Sequence, residues 1–164
     1  SEEKAKTFCK KPVWIRGLGA ATTTVNLAGR NLFSGLTVAR EAGKQAYKMA
    51  GITAADIDVA EVHDCFTIAE MMAYEDLGFA APGAGKELIK NKETYKEGRI
   101  PVNVDGGLLS KGHPIGATGG FQIRTIVLQL RDEAGEIQVD NPQIGLIHNI
   151  GGVGLYGNVT ILSR

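Results

Sequence analysis

The sequence predicts an α/β domain, a mixed five-stranded sheet covered by helices in the order β-α-β-α-β-α-β-β. Three observations lead there. Residues 35–50, the stretch after Asp64 and the run from Pro114 onward repeat small or apolar side chains at helical spacing. Short apolar runs at 12–19, 57–62 and 100–104 alternate with those helical patterns. The chain then closes on two β-rich runs, 144–148 and 153–162, around Gly151-Gly152. Strands that alternate with helices need crossover connections, so the sheet is expected to be mostly parallel before its last strands.

Each element has a local reason. Residues 12–19 carry Val13, Ile15 and a Gly-Leu-Gly finish, the pattern of a short strand entering a loop over 20–31. Leu36, Ala39, Gly43, Ala46, Tyr47 and Ala50 form one helical face, and Gly51 ends it. Small residues on that face imply tight packing. A capping turn at 53–56 leads into the buried strand 57–62, which points at His63. Asp64 is placed to cap a helix whose stripe is Phe66, Ala69, Met72, Ala73 and Leu77, closed by Gly78. Residues 79–99, with Pro82, glycines and alternating lysines and glutamates, read as a solvated excursion. After the strand at 100–104 and a turn at Asp105-Gly106-Gly107, Pro114 opens a third helix with Ile123, Ile126, Val127 and Leu130 inward.

At 164 residues and 17.4 kDa the chain is one domain by length, 1–164, able to bury a core without disulfides. Eighteen basic residues balance eighteen acidic ones, which argues against nucleic acid and against an anionic membrane surface as partners. Cys9 and Cys65 stand far apart in dissimilar contexts, and the charged start has no signal or spanning segment; a reducing, cytoplasmic setting is expected. The 22 glycines are about twice average usage and gather around the two histidine motifs and near the end, where close backbone approach is expected.

Those motifs carry the chemistry. Glu61-Val62-His63-Asp64-Cys65-Phe66 stands where a strand gives way to a helix, and Lys111-Gly112-His113-Pro114 precedes a second helix. A helix mouth welcomes negative charge, so Cys65 there is favoured as a thiolate, more so beside an imidazolium. Read singly, Cys65 is more often a small buried apolar residue, and His63 and His113 are as readily core imidazoles bonded to backbone. Metal binding fits poorly, because neighbouring residues rarely converge on one ion and no C-x-x-C or H-E-x-x-H spacing occurs. A dinucleotide fingerprint is half present at Gly17-Leu18-Gly19, but Ala20, Ala21 and Thr22 follow and no helical pattern begins there.

At these residues the sequence resembles the carboxyl-terminal half of a thiolase, in the branch typified by sterol carrier protein x. His63-Asp64-Cys65-Phe66 is similar to that branch's H-D-C-F motif, and residues 112–119 to the family's G-H-P-[LI]-G-A-[ST]-G signature. His148-Asn149-Ile150-Gly151-Gly152 resembles the third signature, with Asn149 in the place of a cysteine. The resemblance implies a thiolase-like half and an acyltransferase that performs Claisen condensation or thiolysis of 3-oxoacyl-CoA. By it, Cys65 is the acid/base residue and His63 holds the enolate oxygen. His113 activates the nucleophile and bonds the oxyanion, and the Gly151 amide is a further oxyanion donor. Phe66, Gly112 and Asn149 fall to substrate binding. Coenzyme A enters as substrate, with no cofactor and no metal.

One departure qualifies this. No residue here matches the amino-terminal nucleophile, since Cys9 lies in a lysine-rich segment ahead of the first strand. The chain is therefore expected to need an N-terminal thiolase half as partner and to be inactive alone. It is also expected to be a homo-oligomer or to self-associate, through a face built to meet another layer. The alternative is a noncatalytic thiolase-like protein that binds acyl-CoA or lipid, or scaffolds a partner. A ketosynthase or HMG-CoA synthase relative is disfavoured by the H-D-C-F and G-H-P pair.

Overall fold

The computed structural model describes residues 1–30 and 35–164; Asn31, the end of the expected first loop, lies outside them. The elements are α1 (Glu2–Phe8), β1 (Trp14–Thr22), α2 (Thr37–Ala50), β2 (Val59–Glu61), α3 (Thr67–Asp76) and α4 (Gly85–Lys90). They continue with α5 (Gly107–Lys111), α6 (Thr118–Arg131), β3 (Ile144–Gly151) and β4 (Tyr156–Ser163). The strands form one sheet in the order β1-β4-β3-β2. β4 is antiparallel to both β1 and β3, and β2 is parallel to β3.

The mixed sheet between helices is as the sequence predicts, but among the described residues it has four strands rather than five. The expected strand at 100–104 shrinks to one parallel bridge between Ala60 and Val102. Ala60 donates to the Pro101 carbonyl at 2.9 Å and accepts from the Asn103 amide at 3.0 Å. The pairing stops there because Pro101 has no amide hydrogen and Asn103 turns to φ 51. β1, in contrast, extends to Thr22, because the β4 backbone pairs with Ala20, Ala21 and Thr22 whatever their weak strand preference.

α2 lies across β1 and β4 on one face, while α6 covers β3 and β2 on the other. The approach of α2 is set by absent side chains: a Cβ on Gly17 would strike the Ala46 carbonyl, and one on Gly19 the Ala42 carbonyl. The Gly-x-Gly of β1 thus serves helix-on-sheet packing. The α2 face holds the larger core, with Ala42, Ala46, Tyr74, Leu77, Leu146, Val159 and Ile161, and Val59, Ile126, Leu130, Ile147 and Leu162 form the core under α6.

Two helices differ from expectation. α6 begins at Thr118, after a turn in which Ala117 and Thr118 both donate to the Pro114 carbonyl. Its inward face includes Gln122, Thr125 and Gln129 beside Ile126 and Leu130, whereas Ile123 is largely outside. The buried glutamines are tolerated because they are bonded: Gln129 donates to the Ile137 carbonyl at 2.7 Å and accepts from the Val139 amide at 2.8 Å. In α3 the stripe is rotated, so that Ala73, Tyr74 and Leu77 are buried while Phe66 remains 70% exposed. The excursion over 79–99 contains α4 and buries Phe79, Leu88 and Thr94, so it is partly core. No described helix is long and apolar enough to cross a membrane.

Candidate functional site

β2 delivers the first motif. Its pairing ends where the Val62 amide donates to the Asn103 side chain at 2.8 Å, after which the chain turns through His63, Asp64 and Cys65 into α3. His63 and Asp64 are buried, Cys65 is half-buried, and Phe66 leads outward. Asp64 does not cap α3 as the sequence suggests. Its carboxylate turns to the next segment and accepts the Leu108 amide at 2.7 Å, inside the first turn of α5. Gly107 makes this possible, since a Cβ there would occupy the carboxylate's position.

Gly112 caps α5, and its φ of 90 releases the chain into the exposed segment His113-Pro114-Ile115-Gly116. His113 Nδ1 lies 2.6 Å from the Thr118 hydroxyl, and that hydroxyl donates to the Pro114 carbonyl at 3.1 Å. A hydroxyl has one hydrogen, so both bonds coexist only if Nδ1–H of His113 is the donor. Nε2 then faces away from that bond. No Cβ at Gly112, Gly116 or Gly120 would meet an atom within 4 Å, which leaves this segment open to approach.

The two motifs meet. The His63 and His113 rings are 5.0 Å apart between centroids, edge to face at 86°. Burial above all, and His113 next, hold His63 below the usual histidine range; Asp64 and the Asn149 amide pull the other way less strongly. Beneath them His148 of β3 is wholly buried without a partner for either ring nitrogen, and burial pushes it down to about 3. His63 and His148 are thus neutral imidazoles at pH 7. Asn149 donates to Gln122 at 2.8 Å, and Gln122 donates to the His148 carbonyl at 3.2 Å, so α6 fixes the side chain that follows the buried histidine.

Cys65 departs from the expected thiolate. Burial and then Asp64 push its thiol up, and the backbone amides of Phe66 and Cys65 offset this only in part. At rest it is a protonated thiol. Gly151 ends β3, paired with Tyr156, at a hairpin where Gly152, Val153 and Gly154 all have positive φ. A β-branched residue rarely adopts φ 55, so Val153 marks this hairpin as strained beside the site's third motif. The structure thus brings His63, His113 and Asn149 together, while Cys65 and Phe66 follow His63 on its loop, Gly112 immediately precedes His113, and Gly151 ends β3 two residues after Asn149.

Residues that sequence reasoning passed over complete the base. Glu61, two before His63, is wholly buried, and Lys111, two before His113, reaches it at 3.3 Å while also pairing with Asp105. Asp105 further accepts from Thr125 of α6 and from the Gly107 amide. Burial and the Asp105 charge push Glu61 up to about 8. Burial opposes ionisation of Asp105 as well, but hydrogen bonds from Lys111, Thr125 and Gly107 outweigh it and hold Asp105 low. The cluster thus settles as an Asp105–Lys111 ion pair with Glu61 as a neutral acceptor at pH 7. The matching i−2 placement of Glu61 and Lys111 was the available signal. Among the described residues no group of His, Cys, Asp and Glu side chains converges as a metal site would.

Residues 19–164 match the thiolase C-terminal domain-like family. The chain is 43% identical over 162 residues to an acetyl-CoA acetyltransferase of Methanothermobacter thermautotrophicus, covering 99% of this chain and 42% of that one. Human sterol carrier protein 2 is 43% identical over 117 residues, 71% of this chain and 21% of that protein. Among solved structures, the Ltp2-ChsH2(DUF35) aldolase superposes with a TM-score of 0.83 at 26% identity, over 94% of this chain and 40% of that one. The chain thus spans less than half the length of these relatives.

Proposed function

Given that this chain belongs to the thiolase C-terminal domain-like family, we propose that it is the acid/base half of an acetyl-CoA C-acyltransferase. In this reading Cys65 first gives its thiol proton to the coenzyme A thiolate that departs as the cysteine of the N-terminal half is acylated, and the Cys65 thiolate so formed then removes the α-proton of an acetyl-CoA held over the His63–His113 pair. The thioester oxygen becomes an enolate as that proton leaves, and His63, neutral and buried, donates to it. The enolate carbon attacks the acyl thioester on a nucleophilic cysteine of an N-terminal thiolase half, forming the carbon–carbon bond and releasing that thiolate. His113, through Nε2, serves that cysteine, and the Gly151 amide supports the tetrahedral oxyanion. Phe66 borders the acyl chain, and Gly112 and Asn149 border the thioester. Thiolysis of 3-oxoacyl-CoA is the same path reversed.

The observation that carries this is the edge-to-face meeting of His63 and His113, 5.0 Å apart, on loops that also bear a half-buried thiol. A thioester α-proton is weakly acidic, so a thiolate base needs donors on the enolate oxygen, worth about 3 kcal/mol each when one is removed. The relatives' greater length supports a separate nucleophile half, and the exposure of Leu18, Phe66 and Phe121 supports assembly with it or with a second copy. Both cysteines are free, which suits a reducing cytoplasm.

Exchange of acetyl-CoA methyl protons with deuterated water, measured with the chain joined to its nucleophile half, tests the base directly. Cys65→Ser is expected to slow exchange about 100-fold or more. Exchange at the wild-type rate would reject the assignment and favour a noncatalytic acyl-CoA-binding role.

A further inference from the structure

Bonds from Ala117 and Thr118 brace the His113 segment locally, but they do not set its distance from His63. His63 follows a three-residue strand, and His113 sits on an exposed segment between α5 and α6. Their separation is therefore decided by what ties the loop bases. Two residues before each histidine stands one end of a single polar link: Glu61 at the last residue of β2, Lys111 at the last residue of α5. The Lys111 ammonium is 3.3 Å from Glu61 Oε2 and is also paired with Asp105, which in turn accepts from Thr125 on α6. Lys111 at the end of α5 thus reaches β2 directly through Glu61 and α6 indirectly through Asp105. The site lies under solvent-poor cover, since the Glu61 side chain is fully buried and that of Lys111 is 27% exposed. Lys111 keeps contact with water while Glu61 gives up solvent for this one contact, and a buried carboxyl held in that way is weak support for stability, so the contact is better explained by positioning.

We propose that Lys111 is a positioning residue whose ammonium, held between Glu61 and Asp105, straps the His113 loop to the end of β2 and so fixes the spacing of the two imidazoles. It touches neither reacting atom and acts through His63 and His113. The Asp64–Leu108 bond is a second tie between the same segments, but it grips the start of α5, whereas Lys111 grips its end, next to His113. The chemistry favours lysine: one ammonium has three donors, enough to serve the Asp105 carboxylate and the Glu61 acceptor together. The proposal rests on the acyl-transfer reading only for the use made of the histidine pair.

The test reads the coupling between the rings by NMR titration of the imidazoles in the 164-residue chain. Because His113 lowers His63, His113→Gln is expected to raise the His63 midpoint in the wild-type background. In Lys111→Met that rise is expected to lose more than half its size, as the loops part, and in Lys111→Arg to be kept. Comparing the effect of one substitution within each background cancels the direct influence of the lysine charge. A full rise in Lys111→Met overturns the proposal. Should that variant fail to fold, Asp105→Asn, which leaves Lys111 in place but removes its charged partner, takes the same comparison: loss of the rise supports the strap and persistence overturns it. Since only ring geometry is read, failure here leaves the role of Cys65 untouched, and failure of the exchange experiment leaves the strap untouched.

Discussion

Asp64 accepts the backbone amide of Leu108 at 2.7 Å, so the residue between the site's histidine and cysteine anchors a helix 44 positions away. Both residues are buried. Asp64→Ala leaves that amide unpaired away from water, and a loss of about 1–3 kcal/mol in chemical denaturation is expected. Asp64→Asn, which retains an acceptor, is expected to lose much less. Equal losses for the two would show that the bond does not hold the segment.

The Thr118 hydroxyl lies 2.6 Å from His113 Nδ1 and 3.1 Å from the Pro114 carbonyl, and both contacts are hydrogen bonds together only when Nδ1 carries the ring hydrogen. In nitrogen-detected NMR of the neutral ring, the Nδ1–H form is expected to dominate in the wild type. Thr118→Val removes the acceptor and is expected to bring in the Nε2–H form. With its nucleophile half present, the variant is expected to lose about 10-fold or more in turnover, because the acceptor nitrogen is then no longer reserved for the cysteine.

Glu61 and His148 tilt stability in opposite directions with pH. Folded Glu61 keeps its proton up to about 8 while the unfolded residue releases it near 4.5, so its contribution falls as pH rises through that window. His148 refuses a proton until about 3 while the unfolded ring accepts one near 6.5, so its contribution is full above 6.5 and is lost as pH falls toward 3. Urea titrations across pH are expected to show Glu61→Gln gaining on the wild type from pH 5 to 8, roughly, and His148→Gln gaining on it as pH drops below about 6. Parallel profiles for wild type and variant would rule out the corresponding titration.

Two glycines separate packing from freedom. Gly19→Ala drives a methyl into the Ala42 carbonyl of α2, and a cost of about 1–3 kcal/mol or more is expected. Gly120, inside α6, has open space around its Cβ position, and Gly120→Ala is expected to stabilise by about 0.5–1 kcal/mol. A thermal melt of each variant decides both signs.

Much of the fold was legible in short-range pattern. The small-residue face of α2, the β2 run into His63 and the closing hairpin were all marked by periodicity and by glycine at turns. The strand at 100–104 was misread because Val102 and Ile100 have strand-like side chains, while Pro101 and Asn103 deny the backbone a ladder. The α6 face was misread because Gln122 and Gln129 look solvent-facing until their partners, the His148 carbonyl and residues 137–139, are brought beside them.

At the site, residue type and local spacing suffice to name the side chains and to put His63, Cys65 and His113 at strand and helix ends. That the two imidazoles meet, that Asp64 serves α5 instead of α3, that Cys65 rests as a thiol, and that Lys111 pairs with Glu61 and Asp105 follows from the folded arrangement alone. Those outcomes depend on burial and on charges brought together from distant positions, and neither distance through space nor loss of water is written in neighbouring residues.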